Sequence, residues 1–112
     1  MRKLFISMPM RGLTTEEIKK KMKENKKLVE EILGEDLYLI DSVFDTAPGG
    51  FINMPVWCLG ESLKKLAQAD VVFFADGWKD ARGCKIEHEV AKQYSIPMIE
   101  PANGSYATIM YI

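Results

Sequence analysis

Short apolar runs alternate along this chain with longer stretches in which apolar residues return every three or four positions. Lys3–Met8 reads as a first strand and Leu37–Ile40 as a second. Asp70–Asp76 has an uninterrupted apolar middle, the pattern of a strand buried on both faces of a parallel sheet. Pro97–Ile99 is a fourth strand, ending at Glu100-Pro101. The tail from Ser105 to Ile112 has the apolar, β-branched content of an edge strand, with a short helix as the alternative.

Between these runs the spacing is helical. Thr14-Thr15-Glu16-Glu17 is a capping box, in which the Thr14 hydroxyl and the Glu17 carboxylate each bond the other residue's amide. The helix behind it carries Ile18, Met22, Val29, Ile32 and Leu33 on one stripe and stops at Gly34. A second helix runs from Pro55 to about Gln68 and buries Val56, Leu59, Leu63 and Leu66. A third starts between Asp80 and Gly83, with Ile86, Val90 and Tyr94 as its buried stripe. The order β-α-β-α-β-α-β predicts one α/β domain over residues 1–112: a three-layer sandwich around a mainly parallel sheet of four or five strands.

Chemistry in such folds gathers at the carboxyl ends of the strands. Asp76, Asp80 and Glu87 follow the third strand toward that edge. Glu87 stands beside the predicted buried stripe of its helix, whereas His88 and Glu89 rotate away toward solvent. A carboxylate near a helix amino end is held ionised by the dipole and free amides, and can act as a nucleophile toward an electron-poor carbon. After the first strand, Ser7, Met8, Pro9, Met10, Arg11 and Gly12 form a loop leading into a helix start, a common seat for a phosphate or sugar. Arg11 can pair an anion bidentately, and Gly12 permits close backbone approach. Asp41 sits at the carboxyl end of the second strand, and residues 43–54 form a loop long enough for a lid or an oligomer contact.

Composition narrows the partners. Fifteen basic and sixteen acidic residues give a formal charge of −1, which offers no field for a nucleic-acid polymer. The lysines from Lys19 to Lys27 are interleaved on their helix with Glu16, Glu17, Glu24, Glu30 and Glu31 and make a solvated face. Cys58 and Cys84 lack metal-ligand spacing, so neither a metal nor a cofactor is expected, and free thiols fit a cytoplasmic protein. No run approaches a membrane span. Phe51, Trp57 and Trp78 offer an aromatic partner surface as a third, weaker functional reading.

Two motifs carry a resemblance. Phe5-Ile6-Ser7-Met8-Pro9-Met10-Arg11-Gly12 resembles the opening of a group of small uncharacterised bacterial and phage proteins, the DUF4406-type branch related to nucleoside 2-deoxyribosyltransferases and 2′-deoxynucleoside 5′-phosphate N-hydrolases. Ala69–Phe74 and Gly83-Cys84-Lys85-Ile86-Glu87, with Ala91 four residues on, resemble that superfamily's second signature. The resemblance implies a flavodoxin-like sheet and cleavage or transfer at the N-glycosidic bond of a nucleoside or its 5′-monophosphate. It further implies Glu87 as nucleophile, Asp76 and Asp80 at the leaving base, a sugar or 5′-phosphate held by Ser7, Arg11, Gly12 and the loop around Gly83, and a homo-oligomer. Phe5 stands where the transferases carry a tyrosine, and Ser62 where an acid is common. Those two differences define the alternative: a nucleotide- or nucleoside-binding protein without the chemistry.

Overall fold

A computed structural model describes residues 1–43, 49–50 and 53–109. The strands are β1 (Arg2–Ser7), β2 (Leu37–Leu39), β3 (Val71–Phe74), β4 (Met98–Ala102) and β5 (Ser105–Ile109). The helices are α1 (Thr15–Leu33), α2 (Met54–Leu66) and α3 (Arg82–Gln93), with a single 3₁₀ turn at Trp78–Asp80 just before α3. Sheet order is β2-β1-β3-β4-β5; the first four strands run parallel, and β5 returns antiparallel beside β4. Crossover helices between parallel strands make this an α/β sandwich of the flavodoxin and Rossmann kind.

Alternation along β1 assigns its side chains to two cores. Leu4, Ile6 and Met8 meet Ile18, Met22 and Val29 of α1 on one face. Phe5 joins Phe74, Leu66 and Ala91 on the other face, beneath α2 and α3. Ser7 belongs to the Phe5 side, where the β3 register sets it opposite Phe74. The capping box forms as expected: the Glu17 amide donates to Thr14 Oγ1 at 3.1 Å and the Thr14 amide to Glu17 Oε1 at 3.2 Å. Glu30, near the end of α1, accepts from the Leu37 amide at 2.8 Å and so ties the helix to β2. That backbone bond, reinforced by Lys26, draws its pKa below the ordinary carboxylate value.

The helix stripes differ from expectation at their margins. Ile32, Val56, Ile86 and Tyr94 are exposed, the last two at 44% and 78%. In α3 the face turned to the sheet is Cys84, Glu87 and Ala91, three small or slender groups that let the helix approach closely. The bulkier Ile86 and Tyr94 fall on its outer flank. Between β3 and α3, Trp78–Asp80 close a single 3₁₀ turn, and α3 begins at Arg82, inside the 80–83 window expected for its start. The fourth strand runs past Pro101 to Ala102, since β5 completes a hairpin with it. Asn103 (φ 49°) and Gly104 (φ 80°) supply the two left-handed positions of the two-residue turn.

Candidate active site

The carboxyl ends of β1 and β3 open into a cavity of about 520 Å³, roofed by the amino-terminal halves of α2 and α3. This is where the strand order reverses direction from β1, the place at which open α/β sheets bind ligands. Glu87 lies in its wall, only 6% exposed. Ser7 Oγ, from the end of β1, donates to Glu87 Oε1 at 2.9 Å, and Ser62 Oγ, from α2, donates to Oε2 at 2.6 Å. Three elements thus fix one carboxylate, each oxygen accepting one hydroxyl.

The electrostatics correct the expectation that the helix end holds Glu87 ionised. Glu87 is the sixth residue of α3, beyond the free amides of the first turn. Burial raises its pKa above the ordinary carboxylate value, against a downward pull from the Ser62 and Ser7 hydroxyls. The neighbouring Cys84 thiol is also pushed up, by burial first and by the Glu87 charge as well, while Ser7 opposes. It is an inert thiol at neutral pH.

Of the sequence candidates, Ser7, Met8, Pro9, Met10, Arg11, Asp80, Gly83 and Glu87 line the cavity. Gly12, Asp41 and Asp76 do not. Gly12, at φ 84°, turns the loop toward α1. Asp41 points away and accepts the Val43 amide at 3.1 Å, a local turn. Asp76 is exposed and borders a second, smaller depression of about 240 Å³ beside the Asn103-Gly104 turn. The reason is the bend at Gly77 (φ 86°), where an added Cβ would come 3.5 Å from Pro9. The chain reverses after Asp76, so Asp80 returns over the cavity and Asp76 does not.

His88 is not the exposed residue that helical rotation predicts. Its ring stacks on Trp78 at 4.1 Å with planes 13° apart, meets Phe74 edge-on, and its Nε2 lies 2.6 Å from Glu100 Oε2. That stack pins the 3₁₀ turn carrying Asp80 against α3. It also removes Trp78 from the expected aromatic surface; Trp57 is half-buried, and Phe51 lies outside the described residues. Much of the 43–54 loop also lies outside them.

Sequence reasoning passed over Ser42, Cys58, Cys84 and Arg82 as site residues, and took Ser62 only as a departure from a pattern; all five line the cavity. A signal for Ser42 was present, because strand alternation from buried Ile40 selects Ser42 rather than Asp41. Cys58 and Ser62 are one helical turn apart on α2, which identifies a shared face but not what it meets. Among the described residues no group of three or more His, Cys, Asp or Glu could hold a metal ion, and no helix is long and apolar enough to cross a membrane.

Fold and cavity together define an α/β protein with a buried carboxylate at the switch point of a parallel sheet. The chain belongs to the family described as "Domain of unknown function (DUF4406)", whose profile matches residues 2–100. No curated protein matches it. It is similar in structure to a conserved protein from Enterococcus faecalis V583, with a TM-score of 0.55 and 21% sequence identity over 89% of this chain. This chain spans 62% of that protein's chain, and the likeness concerns the fold.

Proposed function

We propose that this protein cleaves or transfers at the N-glycosidic bond of a deoxynucleoside or its 5′-monophosphate, with Glu87 as nucleophile. The observation that carries the reading is the carboxylate itself: buried, held through both oxygens, and facing a cavity of ligand size. A nucleophile fixed in this way loses little freedom on reaching its target. One Glu87 oxygen bonds to the anomeric carbon as the carbon–nitrogen bond breaks, and that bond's electron pair leaves with the base. Water or a second base then attacks the same carbon, and the ester carbon–oxygen bond breaks to restore the carboxylate.

The surrounding groups suit this sequence. Asp80, at the rim, is the one of the two expected aspartates that reaches the cavity, and passes the proton of the incoming water or base to the departing base, which left with the electron pair. Arg11 and Arg82 have no hydrogen-bond or ion-pair partner among the described residues, and Ala81, the residue before α3, gives that helix no side-chain cap. Two free guanidinium groups and the open amides of α3 lining one cavity favour a phosphorylated sugar end. The same features would serve a binding protein, and Phe5, which brings no hydroxyl to the cavity, favours that second reading.

Base release from deoxyribonucleosides and their 5′-monophosphates, followed by chromatography, separates the two. Turnover is expected in the native protein and at least a thousandfold less in Glu87→Gln. Ligand-induced stabilisation with no base released would give the site to binding alone.

A further inference from the structure

We propose that Ser42 hydrogen-bonds the nucleobase and determines which base the cavity accepts, an assignment that rests on the glycosidic reading above. Ser42 is 4% exposed, lines the cavity, and its hydroxyl has no hydrogen-bond partner among the described residues. Buried polar side chains are nearly always partnered, so an orphaned hydroxyl in a cavity wall marks a place where a ligand supplies the partner. It is the only buried side-chain nitrogen or oxygen in that condition among the described residues.

Its position says which part of the ligand that is. The β1–β2 register keeps one offset through Arg2–Leu37, Lys3–Tyr38 and Leu4–Leu39, and continuing it sets Ser42 beside Ser7. Ser7 in turn is opposite Phe74 of β3. By this extension of the register beyond Leu39, Ser42 falls in line with Ser7 and Phe74 across the sheet edge, neighbouring strands being about 4.8 Å apart. Glu87, bonded to Ser7, sits in the middle of that row. On the β3 side are Asp80, Arg82 and the uncapped start of α3. The lining that Ser42 shares includes Pro55, Cys58 and Leu59 of α2, an uncharged set, and Leu66 of the same helix belongs to the core cluster of Ile40, two residues before Ser42.

A nucleoside whose anomeric carbon meets Glu87 extends in two directions. Its 5′ end, charged when phosphorylated, suits the side with the arginine and open amides. The flat, largely apolar base with polar edge atoms suits the other side, where one hydroxyl stands in an apolar surround. There the Ser42 hydroxyl donates to a ring nitrogen or carbonyl oxygen of the base, an atom that gains electron density as the glycosidic bond breaks. Loss of such a bond leaves the partner atom desolvated, which is how one hydroxyl discriminates among ligands.

Calorimetric titration with free adenine, guanine, hypoxanthine, cytosine, uracil and thymine, for the native protein and Ser42→Ala, tests this without requiring turnover. The native protein is expected to favour some bases, and Ser42→Ala to bind those roughly tenfold more weakly. The variant's Tm should be unchanged or raised, because an unpartnered hydroxyl has been removed. Its base-release kcat/KM should lose the same selectivity. Equal base affinities in the two proteins, or a lowered Tm in Ser42→Ala, would overturn the assignment. Base release with unaltered selectivity in the variant would sink the Ser42 role and leave the glycosidic reading standing. Weakened base binding with no release in the native protein would do the reverse.

Discussion

Glu87 is a charged side chain that the fold makes costly to ionise. Its pKa in the native state is raised by burial above the 4.5 typical of a free glutamate. The native state therefore binds the proton more tightly than the unfolded chain. The stabilisation from a neutral Glu87 is complete below pH 4.5 and is lost as pH rises through the raised native value. Glu87→Gln mimics the neutral form, so its Tm is expected to exceed that of the native protein by a few degrees at pH 7. That gap should close toward pH 4, as differential scanning calorimetry across pH would register. Ser62→Ala acts on the same carboxylate from the other direction. Removing the 2.6 Å bond to Oε2 takes away a downward pull, so the acidic limb of kcat/KM should move to higher pH. A purely structural role for Ser62 would lower stability without moving that limb.

At the scale of elements, the 3₁₀ turn Trp78–Asp80 has few backbone bonds of its own and depends on side chains for its place. His88 supplies them by stacking on Trp78 while its Nε2 meets Glu100 on β4. His88→Ala removes both and should cost about 1–2 kcal/mol in urea unfolding. It should also weaken turnover, because Asp80 travels with the turn. The sequence identified α3 and the border position of Glu87, but it placed His88 in solvent. Helical periodicity locates a residue on a face; it does not say that a tryptophan from the preceding turn folds back over that face. The β4–β5 hairpin is the opposite case. Asn103-Gly104 is a strong local signal for a two-residue turn, so the hairpin is written in the sequence itself.

Across the whole molecule, β5 closes one edge of the sheet and lies beyond the stretch matched by the family profile. Tyr106 packs on Phe73 with ring centres 5.4 Å apart, and Ile109 pairs with Met98. Truncation after Ala102 uncovers both and leaves β4, with buried Met98 and Ile99, as the edge. The expected cost is about 3 kcal/mol in urea unfolding, with self-association visible by size-exclusion chromatography. Glu100 would also lose its neighbouring strand, so the effect should reach His88 and the turn that holds Asp80.

What the sequence by itself determined is what short-range rules govern. The alternation of strands and helices, the Thr14 capping box and the carboxylate at Glu87 follow from spacing within a few residues. The tertiary structure alone decided which distant groups share the cavity. Ser7 and Ser62 stand 80 and 25 residues from Glu87, and only the parallel order of β1 and β3 under α2 and α3 brings them to it. The bend at Gly77 separated Asp76 from Asp80, and the crossover of α2 brought Cys58 and Ser62 to the wall that Ser42 shares. Periodicity is a property of one element, whereas register and crossover couple elements far apart in the chain. A site assembled from the ends of several strands depends on that coupling.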